Sequence, residues 1–257
     1  MPAVPSDPRL TFLGHSSVLI ELEGARVLTD PVLRGGVTVL RRVSPPLAPS
    51  AYAGIDVALI SHLHLDHFDL PSLRLLGPDV QLVVPFGAAR LLRRSGFATV
   101  RELAPGDSLR VGDLAITATP AAHGGYRPPL GPRAEAVGYL LEGRTRRVYF
   151  AGDTDLFAGM GELGRDLDVA LLPVWGWGPV LGPGHLDPGR AAAAMRLMDA
   201  RFAVPIHWGT LWPRGLGAIG AGRLTRPPRE FADHAAVHHP DGRVLLTEPG
   251  QRVAFPA

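Results

Sequence analysis

The residues most able to do chemistry crowd into one stretch, Ser61-His62-Leu63-His64-Leu65-Asp66-His67. Alternate residues of an extended chain point to the same side, so His62 and His64 can address one ion together. Asp66 and His67 follow where the chain can curl toward a helix and face a second ion. Neutral imidazoles with a carboxylate suit a borderline divalent metal, zinc first and manganese or iron next. Histidine fills 10 of 257 positions. Composition alone would produce this pattern in roughly one chain in a thousand. Four ligand-type side chains beside a buried strand cost free energy unless something pairs with them, and a pair of metal ions would. The chain has no cysteine, so disulfides and thiolates are excluded and the ligands must be histidine and carboxylate.

These side chains need a frame. The apolar, partly β-branched runs 10–13 and 18–22 flank Gly14-His15-Ser16-Ser17, and Gly24 turns the chain into Val27-Leu28-Thr29. Residues 43–54, with Pro45, Pro46, Pro49 and Gly54, read as a loop. Val57-Ala58-Leu59-Ile60, directly before the histidines, is the unbroken apolar run of a strand buried on both faces. Leu82-Val83-Val84 is another, and a helix from Gly87 to Arg94 stops at Gly96. Further strands are expected over 114–119, 137–141, 147–150, 167–173 and 202–206. The clearest helix runs over 187–198, with Asp187 as N-cap, Pro188 at the first helical position and alanines behind it. A helix around 229–238 and two short strands close the chain. Asp56-Val57-Ala58-Leu59-Ile60 echoes Asp168-Val169-Ala170-Leu171-Leu172. The echo suggests two related β/α halves facing each other without a linker, in one domain over 1–257.

His62-x-His64-x-Asp66-His67 resembles the signature of the metallo-β-lactamase superfamily. The rest of that pattern follows in order: His123 in Thr119-Pro120-Ala121-Ala122-His123, Asp153 in Phe150-Ala151-Gly152-Asp153-Thr154, and His207 in Val204-Pro205-Ile206-His207-Trp208-Gly209. The resemblance spans nearly the whole chain. It implies an α/β fold in four layers, the αββα sandwich, with two β-sheets packed face to face and helices outside. It also implies two divalent metal ions. His62, His64 and His123 would hold one; Asp66, His67 and His207 would hold the other, with Asp153 bridging. Gly152 fits, because glycine lets the backbone come close where a carboxylate must reach two ions.

Two further segments point to a branch. Leu13-Gly14-His15-Ser16-Ser17-Val18-Leu19-Ile20-Glu21 resembles the opening hairpin of the lactonase-like branch that includes ascorbate-6-phosphate lactonase. Gly184-His185-Leu186-Asp187-Pro188, with Ile206-His207-Trp208-Gly209-Thr210, resembles the N-acyl phosphatidylethanolamine phospholipase D branch. That resemblance implies a substrate-contact or proton-transfer role for His185, and His15 is expected to meet substrate. Trp175, Trp177 and Trp208 are candidates for a pocket wall around an apolar or planar substrate, with core packing as their alternative.

The implied reaction is hydrolysis of a small ester, lactone, amide or phosphoester. Two ions would turn a bridging water into hydroxide and polarise the group under attack, while Asp66 and Asp153 orient that hydroxide and take its proton. No Gly-x-Ser-x-Gly elbow offers a serine alternative. Two rival classes stay open: a nucleic-acid phosphodiesterase of the same superfamily, and a non-catalytic metal-binding protein on the same fold. The formal charge is only +2, and the sequence pI of 9.5 reflects 26 basic residues that are all arginine. With those arginines scattered, a small-molecule substrate is expected rather than nucleic acid. No run approaches the roughly 20 apolar residues of a membrane span, and no basic amphipathic anchor is evident. The first ten residues hold three prolines and no apolar run, so they do not read as a signal peptide and a cytoplasmic protein is expected.

Overall fold

The computed structural model describes residues 8–127, 131–176, 181–216 and 221–254. Leu10, Phe12, Val18 and Ile20 alternate with residues of the opposite face and are fully buried, which folds β1 (Arg9–Gly14) against β2 (Ser17–Leu22) and β2 against β3 (Ala25–Thr29) as an antiparallel meander. A small ribbon follows, β4 (Gly36–Val37) and β5 (Leu40–Arg42). Then come β6 (Val57–Leu59), α1 (Leu70–Leu75), β7 (Gln81–Pro85), α2 (Ala89–Arg94) and β8 (Val100–Leu103), each strand added parallel to the last.

The second half repeats the plan. β9 (Ser108–Val111), β10 (Leu114–Pro120), β11 (Val137–Glu142) and β12 (Arg147–Phe150) are antiparallel. β13 (Val169–Pro173), α3 (Pro188–Leu197) and β14 (Phe202–Ile206) continue in parallel. β15 (Leu211–Pro213) joins the ribbon, and α4 (Pro227–His238), β16 (Arg243–Val244) and β17 (Gln251–Arg252) close the described chain. Two seven-stranded sheets result, in the orders β17-β1-β2-β3-β6-β7-β8 and β16-β14-β13-β12-β11-β10-β9.

The alternation in β6 shows how the layers stack. Val57 and Leu59 belong to the core between the sheets, with Val27, Ile116, Tyr139 and Leu171; Ala58 and Ile60 pack outward with Leu73 of α1 and Leu92 of α2. Each such aliphatic side chain contributes about 1.5–3 kcal/mol on burial. The alanines and Met195 of α3, with Phe231 of α4, cover the other side. The architecture is the expected four-layer αββα sandwich. Asp187 caps α3 as anticipated, accepting a hydrogen bond from the Arg190 N–H at 2.8 Å.

Some element boundaries differ from expectation. The loop 43–54 contains a 3-10 turn at Pro49–Tyr52, and α4 begins earlier than 229, at Pro227. The expected strands 57–60 and 167–173 form only Val57–Leu59 and Val169–Pro173. Helix α1 was not expected from periodicity because it is only one and a half turns long. Its cap is nevertheless strong: the Asp69 carboxylate accepts from the Ser72 N–H (3.1 Å) and from Arg34 Nε and Nη2 (2.9 and 2.8 Å). No helix among the described residues is long and apolar enough to cross a membrane.

Candidate metal centre

The strand ends and loops at one rim of the sandwich bring the sequence-selected histidines together. After β6 the chain turns at 65–67, which aims four side chains inward. His62, His64 and His123 place one ring nitrogen each within 4.8 Å of one another. Asp66, His67 and His207 form a second group by the same measure, joined by His15. Asp153 lies between the groups: its Oδ2 is 3.3 Å from His67 Nε2, 3.5 Å from His207 Nε2 and 3.6 Å from His185 Nε2. Asp153 also groups with His123 and His185.

Glycine makes that placement possible. Gly152 has φ +59°, and a β-carbon there would sit 2.5 Å from Ser61 Cβ. Without a side chain, the turn after β12 can lie against the residue that starts the histidine loop.

Hydrogen bonds fix which nitrogen of each ring faces inward. His123 Nδ1 lies 2.7 Å from the Gly184 carbonyl and His64 Nε2 lies 2.9 Å from the Tyr126 carbonyl. Carbonyls only accept, so those nitrogens carry the protons of the neutral rings. His123 Nε2 and His64 Nδ1 then face each other bare, 3.1 Å apart. Two lone pairs at that distance repel unless a cation sits between them. Imidazoles on a tetrahedral zinc, with Zn–N bonds of about 2.0–2.1 Å, stand about 3.3–3.4 Å apart, close to the observed spacing. His67 Nε2 and His207 Nε2 face each other at the same 3.1 Å. His62 Nε2 and Asp153 Oδ1 are buried with no hydrogen-bond partner among the described residues, a costly state that metal coordination would relieve. The residues fit a resident metal.

The electrostatics agree. Burial, above all, lowers His62 far below the ordinary histidine value and His123 to about 4, so both rings are neutral and ready to ligate. Burial alone would raise Asp66 and Asp153, but the surrounding histidines outweigh it and hold both well below the usual carboxylate range. Burial would likewise lower His67, yet Asp153, Asp66 and Asp30 push it well above its ordinary value. The site therefore demands positive charge, and a metal would displace the His67 proton.

Sequence reasoning missed Asp30. It is fully buried, and its carboxylate accepts from the Ser61 N–H (2.7 Å), Ser61 Oγ (2.6 Å) and His67 Nδ1 (2.7 Å). It thus sets the His67 ring from behind and pins the start of the histidine loop. The available signal was position: an aspartate immediately after an apolar strand.

Expected substrate contacts fared unevenly. His185 lines the mouth, 27% exposed, its ring 4.8 Å from that of His123. Trp175 stacks on Trp212 at 6.2 Å and borders a cavity of ≈ 170 Å³ with Leu181 and Pro188. Trp177 lies outside the described residues. Two expectations are corrected. Trp208 is 3% exposed, stacked on Phe12 at 5.9 Å with its Nε1–H donated to the Pro205 carbonyl, so it packs the core between the sheets. His15 is 1% exposed and lies beneath Asp66, where a substrate cannot reach it.

A family model described as a β-lactamase superfamily domain matches residues 25–208, the span that holds every ligand position from His62 to His207. The chain belongs to the metal-dependent hydrolases of the metallo-β-lactamase superfamily. Among its relatives in that superfamily, a UPF0173 metal-dependent hydrolase of Methanopyrus kandleri is 31% identical over 257 residues, covering 95% of this chain and 98% of its own. The N-acyl-phosphatidylethanolamine-hydrolyzing phospholipase D 1 of Caenorhabditis elegans is 32% identical over 231 residues, 80% of this chain; the alignment spans 64% of that longer protein. In three dimensions the chain is similar to Igni18, a metallo hydrolase of Ignicoccus hospitalis, with a TM-score of 0.73 at 24% identity over 97% of this chain and 99% of that one.

Proposed function

We propose that this hydrolase works with two divalent ions, zinc foremost, and cleaves a small ester, lactone, amide or phosphoester. The observation that carries the reading is the position of Asp153: its Oδ2 is 3.3 and 3.5 Å from His67 and His207 of one group, and a carboxylate oxygen lies within 4.8 Å of ring nitrogens of His123, of the other group, and of His185. His62, His64 and His123 would hold one ion, Asp66, His67 and His207 the other, and Asp153 both. When bound, such ions supply Lewis acidity, lowering the pKa of water and offsetting charge that develops on the group attacked.

The chain's own residues supply the rest. Asp66 and Asp153, kept ionised by the histidines around them, orient the attacking water and accept its proton. His185 Nδ1 faces the Gly182 carbonyl at 3.3 Å and so carries a proton, which leaves Nε2 to face the site. A proton taken up at Nε2 is held 3.6 Å from Asp153 and can pass to a leaving group at the mouth. The C. elegans relative, named for hydrolysing a phospholipid, supports the phosphodiester arm of this class.

The test couples elemental analysis with a panel of phosphodiester, lactone, ester and amide substrates. Two equivalents of metal per chain and turnover on at least one class are expected. His185→Gln should keep its metal while kcat falls about 100-fold, most on poor leaving groups. Less than half an equivalent in the wild type, not restored by added metal, overturns the reading.

A further inference from the structure

The mechanism above leaves His15 unused, although it is the most unusual residue of the first hairpin. It sits in the turn between β1 and β2 with φ +54°, a left-handed conformation that side chains other than glycine rarely adopt. The structure around it is built to hold that conformation. Its N–H donates to Thr210 Oγ1 at 2.8 Å, and Thr210 Oγ1 donates to the Trp208 carbonyl at 3.1 Å. The preceding Gly14 has φ +120°, and a β-carbon there would lie 2.6 Å from that same Thr210 oxygen. A local arrangement this tightly fixed suggests that the position of the His15 ring and carbonyl matters.

Both reach the second group of ligands. The His15 carbonyl accepts the His207 N–H at 2.8 Å, and His207 is itself left-handed at φ +65°. The His15 ring lies 4.0 Å from the His207 ring, centroid to centroid, and its Nε2 is 3.2 Å from Asp66 Oδ2. Asp66 and His207 come from opposite sheets, one after β6 and the other after β14. His15 therefore links one ligand from each half of the molecule, from a buried position behind both.

We propose that His15 is a positioning residue for the second ion alone: its Nε2–H holds the Asp66 carboxylate while its carbonyl holds the backbone of His207. The proposal rests on the two-ion reading above. Loss of an outer hydrogen bond of this kind weakens metal binding about 10- to 100-fold.

The test is metal retention by the full-length holoprotein during dialysis against graded chelator, read by elemental analysis with a thermal melt as a fold control. Wild type should release two equivalents. His15→Ala should release one of them at a chelator concentration at least about tenfold lower, with the other unchanged. His15→Asn tolerates the left-handed backbone but its amide stops short of Asp66, so it should behave like alanine and decides the matter if alanine does not fold. His15→Gln, whose amide reaches the position of Nε2, should restore retention to within about threefold of wild type. Release of both equivalents at wild-type concentrations from the alanine and asparagine variants, or loss of both ions together, overturns the proposal while leaving two-ion hydrolysis intact. A wild type holding a single equivalent sinks the two-ion reading itself.

Discussion

In the first sheet β3 and β6 run parallel with Val27 opposite Val57; in the second, β12 and β13 run parallel with Val148 opposite Val169. The resemblance extends to individual hydrogen bonds. Asp56 Oδ2 accepts the Arg26 N–H at 2.8 Å, and Asp168 Oδ2 accepts the Arg147 N–H at 2.9 Å. The Asp56 N–H reaches the Arg26 carbonyl at 3.0 Å, and the Asp168 N–H reaches the Arg147 carbonyl at 3.1 Å. The two halves thus share a frame down to the buried strand pair that leads into the site.

The ligands do not follow that symmetry. Carried across by register, His62 and His64 correspond to Val174 and Gly176, His207 corresponds to the exposed Phe86, and Asp30 corresponds to Ala151. The first half concentrates its ligands in one loop after β6. The second half spreads them over three strand ends, His123 after β10, Asp153 after β12 and His207 after β14. The chemistry sits at unlike positions of a common frame, at strand ends and in loops rather than within the hydrogen-bonded ladder.

The sharpest way to probe this difference is to remove one carboxylate from each half. Asp153→Ala should lower kcat/KM by at least about 100-fold and cut metal content, since it would take a shared ligand from both groups. Asp30→Ala should act on the other link. It should weaken the ion beside His67 about 10- to 100-fold, and it should cost about 1–3 kcal/mol in stability by stranding the Ser61 N–H and His67 Nδ1 in the interior. If the two variants lose the same metal to the same extent, the distinction between a ligand and a residue that orients one is wrong. Comparison of metal content with the denaturant midpoint of each protein decides it.

A smaller effect is expected at the turn that lets Asp153 approach. Gly152→Ala adds a β-carbon 2.5 Å from Ser61 Cβ on a left-handed backbone, which should cost about 1–3 kcal/mol and blunt activity by moving Asp153. An unchanged melting temperature would mean the turn relaxes freely and the close approach is incidental.

The mildest test uses acidity. Burial holds His62 well below its ordinary value, His123 at about 4 and, together with His207, His15 at about 3. In metal-depleted protein the unfolded chain therefore binds more protons than the folded one between about pH 6.5 and pH 4, so stability rises with pH across that window and is lost on acidification. His67, raised above its ordinary value, is protonated in both states there and does not oppose the trend, while Asp30, whose carboxyl burial raises, opposes it as one group against three. The melting temperature of chelator-treated protein should fall steadily from pH 6.5 to pH 4. A flat profile would show that these rings are not buried as described.

Much of this was legible in the sequence because it depends on local order. The apolar run ahead of His62 defines a strand buried on both faces, Asp187-Pro188 starts a helix by its own side-chain chemistry, and the spacing of His62, His64, Asp66 and His67 limits how those side chains can point. The pentapeptide echo foretold the paired halves, since equivalent strands bury equivalent side chains. What the sequence left open concerns distance across the fold. Which way a tryptophan faces depends on the partner sheet, and Phe12 claims Trp208 from far along the chain. Whether His15 meets substrate or ligand depends on β14 arriving behind it, and the importance of Asp30 depends on Ser61 and His67 closing over it. Residue types and their spacing decide which groups can bind a metal; only the packing of one sheet on the other decides which groups stand in contact with it and which stand behind.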